Sequence, residues 1–297
     1  MRFKIQWIIL LFLLSAGGCD MGKKNIPLVT ISTPAGDMQA VLYDRTPKHK
    51  ANFVKLAEEG YFDSTLFHRV IKEFMIQGGD PNSKGAKPNI TLGEGGPGYT
   101  IDAEFVPELY HRKGALAAAR QGDAQNPERA SSGSQFYIVV GKTYTDDELL
   151  TMEYDMNTVY SYFQKYLQSG KDSGMLATFQ EKRYNSSPTD LINYIVQQIS
   201  LLEEEYDVTI EHNPLTAEQR TIYKTEGGTP HLDRTYTVFG QVIAGLAVLD
   251  KLSAVKTGPS DRPVEDIPIT VSVDYVSAKS LEADYGYTSP AYNKEAE

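Results

Sequence analysis

The 297-residue chain contains a single cysteine, Cys19, so no intramolecular disulfide can brace the fold. It is also short of positive charge: 29 Lys and Arg face 39 Asp and Glu, for a net charge of −10. Binding to a phosphate backbone needs clustered cations that release counterions, so nucleic acid is excluded as a partner. The 5 histidines show no metal-ligand spacing. No metal and no other cofactor is expected. Gly93, Gly95, Gly96 and Gly98 crowd one loop. The Lys-Ser/Thr of a phosphate-binding loop is missing there, and Tyr99-Thr100-Ile101 continues as a strand rather than a helix, which argues against a nucleotide site. What is present suffices for a core: hydrophobic residues make up 41% and aromatics 10%, too much for a disordered chain.

At the start, Arg2 and Lys4 precede an apolar run over 5–14 that only Gln6 interrupts. The run is shorter than the ~20 residues of a bilayer span, and reads as a signal peptide over 1–18. Ser15, Ala16, Gly17 and Gly18 lead up to Cys19. This stretch resembles the lipobox of bacterial lipoproteins, with Ala16 where a large aliphatic residue is usual. The resemblance implies cleavage before Cys19, a lipid on its sulfur and a tether over 19–26. Two or three acyl chains would hold the protein firmly to a membrane. The expected location is the bacterial cell envelope, on a periplasmic or surface face.

Residues 28–33 alternate like a strand, Pro34-Ala35-Gly36-Asp37 has turn chemistry, and 38–43 return as a second strand. Thr46 followed by Pro47 predicts a helix start, and Gly60 its stop. Short strands with Gly-rich turns then run to about 138. Beyond Gly141 the texture changes. Thr145 with Glu148 fits a capping box, and Leu149, Met152, Met156, Val159, Tyr160, Phe163 and Leu167 follow at helical spacing. Ser187-Pro188 and Thr216 with Gln219 predict two further helices. Strand character resumes at Gly227, with a short apolar helix near 246–252. The chain therefore reads as a β-rich domain over 27–141 and 227–278, a helical insertion over 142–226, and a flexible tail over 279–297.

Four segments carry a resemblance. Arg69 precedes Phe74-Met75-Ile76-Gln77-Gly78-Gly79-Asp80. Gly95-Gly96-Pro97-Gly98-Tyr99-Thr100-Ile101-Asp102-Ala103-Glu104-Phe105 comes next. Gly114-Ala115-Leu116-Ala117-Ala118-Ala119-Arg120 leads to Ser132-Gly133-Ser134-Gln135-Phe136-Tyr137-Ile138. Pro230-His231-Leu232-Asp233 is followed by Tyr236-Thr237-Val238-Phe239-Gly240. In this order they closely resemble the cyclophilin family of peptidyl-prolyl cis-trans isomerases. The resemblance spans the β-rich portion and leaves out the insertion and the tail. It implies a mainly β fold: a closed eight-stranded antiparallel barrel capped by two helices, here with an inserted α-helical segment.

The implied reaction is rotation about an X-Pro bond, over a barrier of about 18–20 kcal/mol set by amide resonance. No bond is made or broken, so no nucleophile, metal or proton shuttle is needed. On this resemblance Arg69 stabilises the twisted amide, while Phe74, Met75, Tyr137 and Leu232 form the apolar pocket for the proline ring. Gln77 and Gln135 orient substrate carbonyls and Arg69. Ala119 and Arg120 line the groove and pair through their backbone with the peptide, and His231 and Tyr236 complete the binding surface. Arg120, Tyr137, His231 and Tyr236 depart from the pattern familiar in eukaryotes, where Asn, Phe, Trp and His stand. The implied partners are proline-containing polypeptides of the exported proteome, met by a monomer. The insertion leaves and rejoins the barrel beside groove segments, which would let its helices lengthen the surface for clients. The competing classes are a binding module that has kept the fold without the catalysis, and a structural envelope lipoprotein.

Overall fold

The computed structural model describes residues 25–88 and 90–290. The expected signal peptide, Cys19 and most of the expected tether lie outside them, as does the end of the tail. In the first part of the chain the elements are β1 (Ile26–Thr33), β2 (Gly36–Leu42), α1 (Pro47–Glu58), β3 (Thr65–Leu66), β4 (Arg69–Ile71), β5 (Met75–Gly78), β6 (Thr100–Ile101), β7 (Ala115–Ala118), β8 (Ser131–Ser132) and β9 (Phe136–Val139). Helices α2 (Asp146–Met152), α3 (Met156–Gln168), α4 (Ser173–Asn185), α5 (Pro188–Val196), α6 (Ile199–Tyr206) and α7 (Ala217–Thr225) follow. The chain closes with β10 (Val238–Ala244), α8 (Leu246–Ser253), β11 (Pro268–Val276) and α9 (Ala278–Tyr285).

The principal sheet is antiparallel and has 9 strands in the order β3-β11-β1-β2-β10-β7-β9-β5-β4. It curls so that its two end strands are consecutive in sequence, joined through Phe67 and His68, but they do not pair with each other. The expected closed eight-stranded barrel is therefore corrected to a curled nine-stranded sheet with an open seam. The cause is a change of partner along one extended stretch. Thr65 and Leu66 pair with β11, and three residues later Arg69 begins to pair with β5.

Alternation sorts the strands into two apolar layers. Val29, Ile31, Met38, Leu116, Phe136, Ile138 and Phe239 fill the inside of the curl, where Phe53 and Leu56 of α1 and Leu249 and Leu252 of α8 join them. Met75, Ala115, Ala117, Tyr137 and Val139, one residue out of phase, form a second cluster on the opposite face. Strands β7 and β9 are thus buried on both sides, which explains their continuous apolar runs. The first amides of α1 are not capped by Thr46 as the sequence suggests. Glu104 accepts from the N–H groups of Lys48 (3.1 Å) and His49 (3.0 Å), placing a carboxylate at the positive end of the helix.

The inserted helices divide into two parts. Helices α3–α6 enclose a core of their own around Phe163, Ile195 and Leu202. Helices α2 and α7 instead contribute Leu149, Ile222 and Tyr223 to a cluster with Tyr110 and Tyr144. Both expected capping boxes form, at Thr145/Glu148 and Thr216/Gln219. The periodic run 149–167 is two helices rather than one, because Asp155 caps a fresh start at Asn157 and Thr158. Glu153, 3% exposed, ties this junction to the returning chain by accepting from Leu215 N–H at 2.9 Å and pairing with Arg220. Where the insertion leaves and returns, Gly141 lies against Gly228. A Cβ on Gly141 would come within 2.4 Å of the Gly228 backbone, so no larger residue fits.

The expected flexible tail over 279–297 begins instead as helix α9. Ser277 caps it, and Leu281, 1% exposed, docks beside Leu28 and Val41. A helix held by one deeply buried residue leaves little apolar periodicity in the sequence. Among the described residues no helix is long and apolar enough to cross a membrane.

Candidate active site

One cross-strand row organises the outer face of the sheet. Arg69 pairs with Gln77, Gln77 with Tyr137, Tyr137 with Ala117, and Ala117 with Val238. Residues directly opposite on antiparallel strands share a face with Cβ atoms about 5 Å apart. The register therefore sets a guanidinium, an amide and an aromatic ring side by side. The next row contains Ile71, Met75 and Val139.

Phe74, Met75, Tyr137, Leu232 and Tyr236 fall in one apolar cluster, together with Ala119. Met75 and Tyr137 form its floor at 2% and 4% exposure, whereas Phe74 and Leu232 are only half-buried. His231 stacks on Phe74 with ring centroids 5.7 Å apart, and Tyr236 meets Tyr137 edge-on at 6.0 Å. The result is an aromatic cluster on the face of the sheet that carries Arg69. Gln77 donates to Gln135 at 3.1 Å, and Gln135 donates onward to the carbonyls of Gly93 (2.8 Å) and Gly95 (2.7 Å). The amide pair is thereby fixed in orientation and holds the Gly-rich loop in place.

Arg69 is partly exposed, and its Nε lies 3.4 Å from Asp261. Its fork faces an open surface between two clefts. One, of about 1050 Å³, is lined by Gln77, Gly95, Ala119, Arg120, Asn126 and Gln135. The other, of about 600 Å³, is lined by His68, Arg69, Ile90, Arg262 and Pro263.

Ala119 and Arg120 both line the first cleft. Both main-chain groups of Ala119 are engaged within the fold, donating to Gln135 and accepting from Ser132. They do not present an unused edge to a peptide. Arg120 lines the first cleft while its guanidinium is held by neighbours within the fold. It donates to Thr235 O at 2.9 Å, pairs with Asp123 at 2.6 Å, and lies 4.3 Å from the Tyr236 ring centroid. Sequence reasoning missed Asp261, which is 192 residues from Arg69. It also missed the partners of Tyr137: His111, whose Nε2 is 3.0 Å from the phenol oxygen, and behind it Asp233. The signal available was Asp233 itself, adjacent to Leu232 in the fourth motif. Among the described residues no group of three or more His, Cys, Asp or Glu could hold a metal ion.

A curled antiparallel sheet thus carries a guanidinium, two amides and an aromatic cluster on one face. The sequence model of the family described as cyclophilin type peptidyl-prolyl cis-trans isomerase/CLD matches residues 28–163 and 214–273, and the chain belongs to that family. A Streptococcus pyogenes protein named for a bifunctional phosphatase/peptidyl-prolyl cis-trans isomerase is 36% identical over 253 residues, 84% of this chain and 39% of that protein. The chain thus spans about two-fifths of that relative's length. A Staphylococcus aureus protein named for a peptidyl-prolyl cis-trans isomerase is 31% identical over 242 residues, 81% of this chain and 88% of that protein. The crystal structure of a Cryptosporidium parvum cyclophilin type peptidyl-prolyl cis-trans isomerase aligns with a TM-score of 0.48 and 22% identity, over 84% of this chain and 98% of that one.

Proposed function

We propose that this protein catalyses cis-trans isomerisation of X-Pro bonds in exported polypeptides and so assists their folding. The observation that carries the reading is the row Arg69–Gln77–Tyr137, which sets a permanent cation on the same face as an apolar aromatic cluster. Uncatalysed exchange takes roughly tens to hundreds of seconds. Each tenfold acceleration requires about 1.4 kcal/mol of preference for the twisted amide. Twisting localises the lone pair on the prolyl nitrogen, and Arg69 donates to that nitrogen and to the proline carbonyl as it does so. The recess formed by Phe74, Met75, Tyr137 and Leu232 holds the ring, while Gln77 and Gln135 hold the other side of the bond. The protein acts as a monomer, fixed to an envelope membrane by lipid on Cys19.

Exchange NMR on a short X-Pro peptide tests the catalytic reading without a coupling protease. The full chain accelerates exchange, and Arg69→Ala loses that acceleration by about a hundredfold or more, the scale of removing one preorganised donor. A folded wild-type protein that leaves exchange at its uncatalysed rate would overturn the assignment. For the anchor, Cys19→Ala moves the protein from the membrane to the soluble fraction; unchanged membrane retention would remove the lipid from the account.

A further inference from the structure

The recess does not stand on the sheet alone. Tyr137 is 4% exposed, and its hydroxyl lies 3.0 Å from His111 Nε2. Burial pushes the phenol well above its ordinary range, so it stays protonated and acts as the donor. A carboxylate only accepts, so His111 Nδ1 carries a proton and donates to Asp233 Oδ1 at 2.9 Å. The backbone N–H of His111 also donates to that oxygen, at 2.9 Å. The second oxygen, Oδ2, accepts from Tyr223 OH at 2.6 Å and from Gln219 Nε2 at 3.3 Å. His111 and Tyr223 are fully buried, and Gln219 is 2% exposed.

Tyr223 and Gln219 are one turn apart on α7, inside the helical insertion, so they share one face of that helix. The same face is pinned to the sheet domain through the cluster of Ile222, Tyr110 and Tyr144. Asp233 in turn follows His231 and Leu232, the turn that walls the recess. A single carboxylate therefore sets both the orientation of the Tyr137 floor and the seat of the His231–Leu232 wall, and the inserted helix supplies two of its donors.

We propose that Tyr223 and Gln219 of the inserted helix are positioning residues for the proline recess, acting through Asp233 and His111 on Tyr137. This rests on the isomerase reading for its substrate but concerns a different part of the molecule. A looser wall weakens binding of the ring in the ground state and the transition state alike, which raises KM and leaves kcat in place.

The experiment uses the full chain and an X-Pro tetrapeptide, with both KM and kcat taken from exchange NMR. Tyr223→Phe keeps the buried ring and removes one donor. It raises KM roughly 3- to 10-fold, the scale of one hydrogen bond, with kcat within about twofold. Tyr137→Phe breaks the relay at its other end, so adding Tyr223→Phe to it produces little further rise. Gln219→Glu retains the capping box but opposes Asp233 with a second carboxylate, and it raises KM more than Tyr223→Phe does. Should Tyr223→Phe fail to fold, Gln219→Glu carries the same comparison with Tyr137→Phe. An unchanged KM in a folded variant, or effects that simply add, would overturn the relay. If the wild-type chain gives no turnover, the isomerase reading fails separately, and the peptide Kd from NMR titration replaces KM with the same expected ratios.

Discussion

The curled sheet and the distal helices α3–α6 are built on opposite plans. In the sheet domain, apolar layers alternate with buried polar relays: Gln77–Gln135 into the Gly-rich loop, and Tyr137–His111–Asp233 into α7. In the distal helices the buried cluster is almost wholly apolar and aromatic, with Phe163 against Phe179 at 5.3 Å and Tyr194 at 6.3 Å. The family match runs through the first and skips residues 164–213 of the second. Buried polar relays fix one geometry, because each unmade bond is costly in a low-dielectric interior. An apolar core demands volume and little orientation. The difference teaches where function can be read: the region with orientational constraints is the one that holds the site.

The sharpest way to break this comparison is to hollow out the distal core. Phe163 is fully buried, and Phe163→Ala costs about 3–5 kcal/mol of stability in that unit. Urea unfolding followed by far-UV circular dichroism measures it. Exchange activity of the folded protein stays within about threefold, because Phe163 belongs to a cluster apart from the recess. Loss of activity in step with helix content would show the two regions to be one unit.

A smaller effect sharpens the polar side. Tyr137→Phe keeps the ring and leaves the buried His111 Nε2 without its donor, for about 1–3 kcal/mol of destabilisation. A denaturation midpoint equal to wild type would mean that water replaces the hydroxyl at no cost.

The two regions were legible in different ways. In the inserted helices α2–α7 the sequence announces itself locally. The capping box at Thr145/Glu148 and the Ser187-Pro188 start are where the chain puts them, since a cap depends on residues three apart. The breaks at Glu153–Asp155 and Gln197–Gln198 were not legible, because apolar spacing continues across each. In the sheet the local signal was weak. Strands such as β3 and β8 are 2 residues long, too short for a period, and the motifs rather than the alternation placed Arg69, Gln77 and Tyr137. The Glu104 cap on α1, Asp261 beside Arg69 and the His111–Asp233 contact all join residues far apart in sequence. No window of sequence contains them. Helix α9 was missed for the complementary reason that a single residue, Leu281, holds it.

The smallest effect concerns pH. His68 is 4% exposed, and burial holds its imidazole below the ordinary value of 6.5, against a backbone hydrogen bond to Leu66 that favours the charged form. Asp80 opposes that shift, and Arg69 and Arg262 reinforce it. A depressed folded value means that the unfolded chain binds the proton more readily. Stability is therefore full above 6.5 and is lost as pH falls below it. Urea midpoints between about pH 7.5 and 5.5 should decline in wild type and flatten in His68→Leu. Parallel slopes would assign the acid sensitivity to other groups.

The central claim is that a rigid fork at Arg69, and not charge alone, acts on the turning amide. Exchange NMR at saturating X-Pro peptide, comparing wild type with Arg69→Lys, tests it most directly. The account predicts a fall of roughly tenfold or more although the charge is retained, since an ammonium lacks the paired donors of a guanidinium. A rate equal to wild type in Arg69→Lys would contradict it.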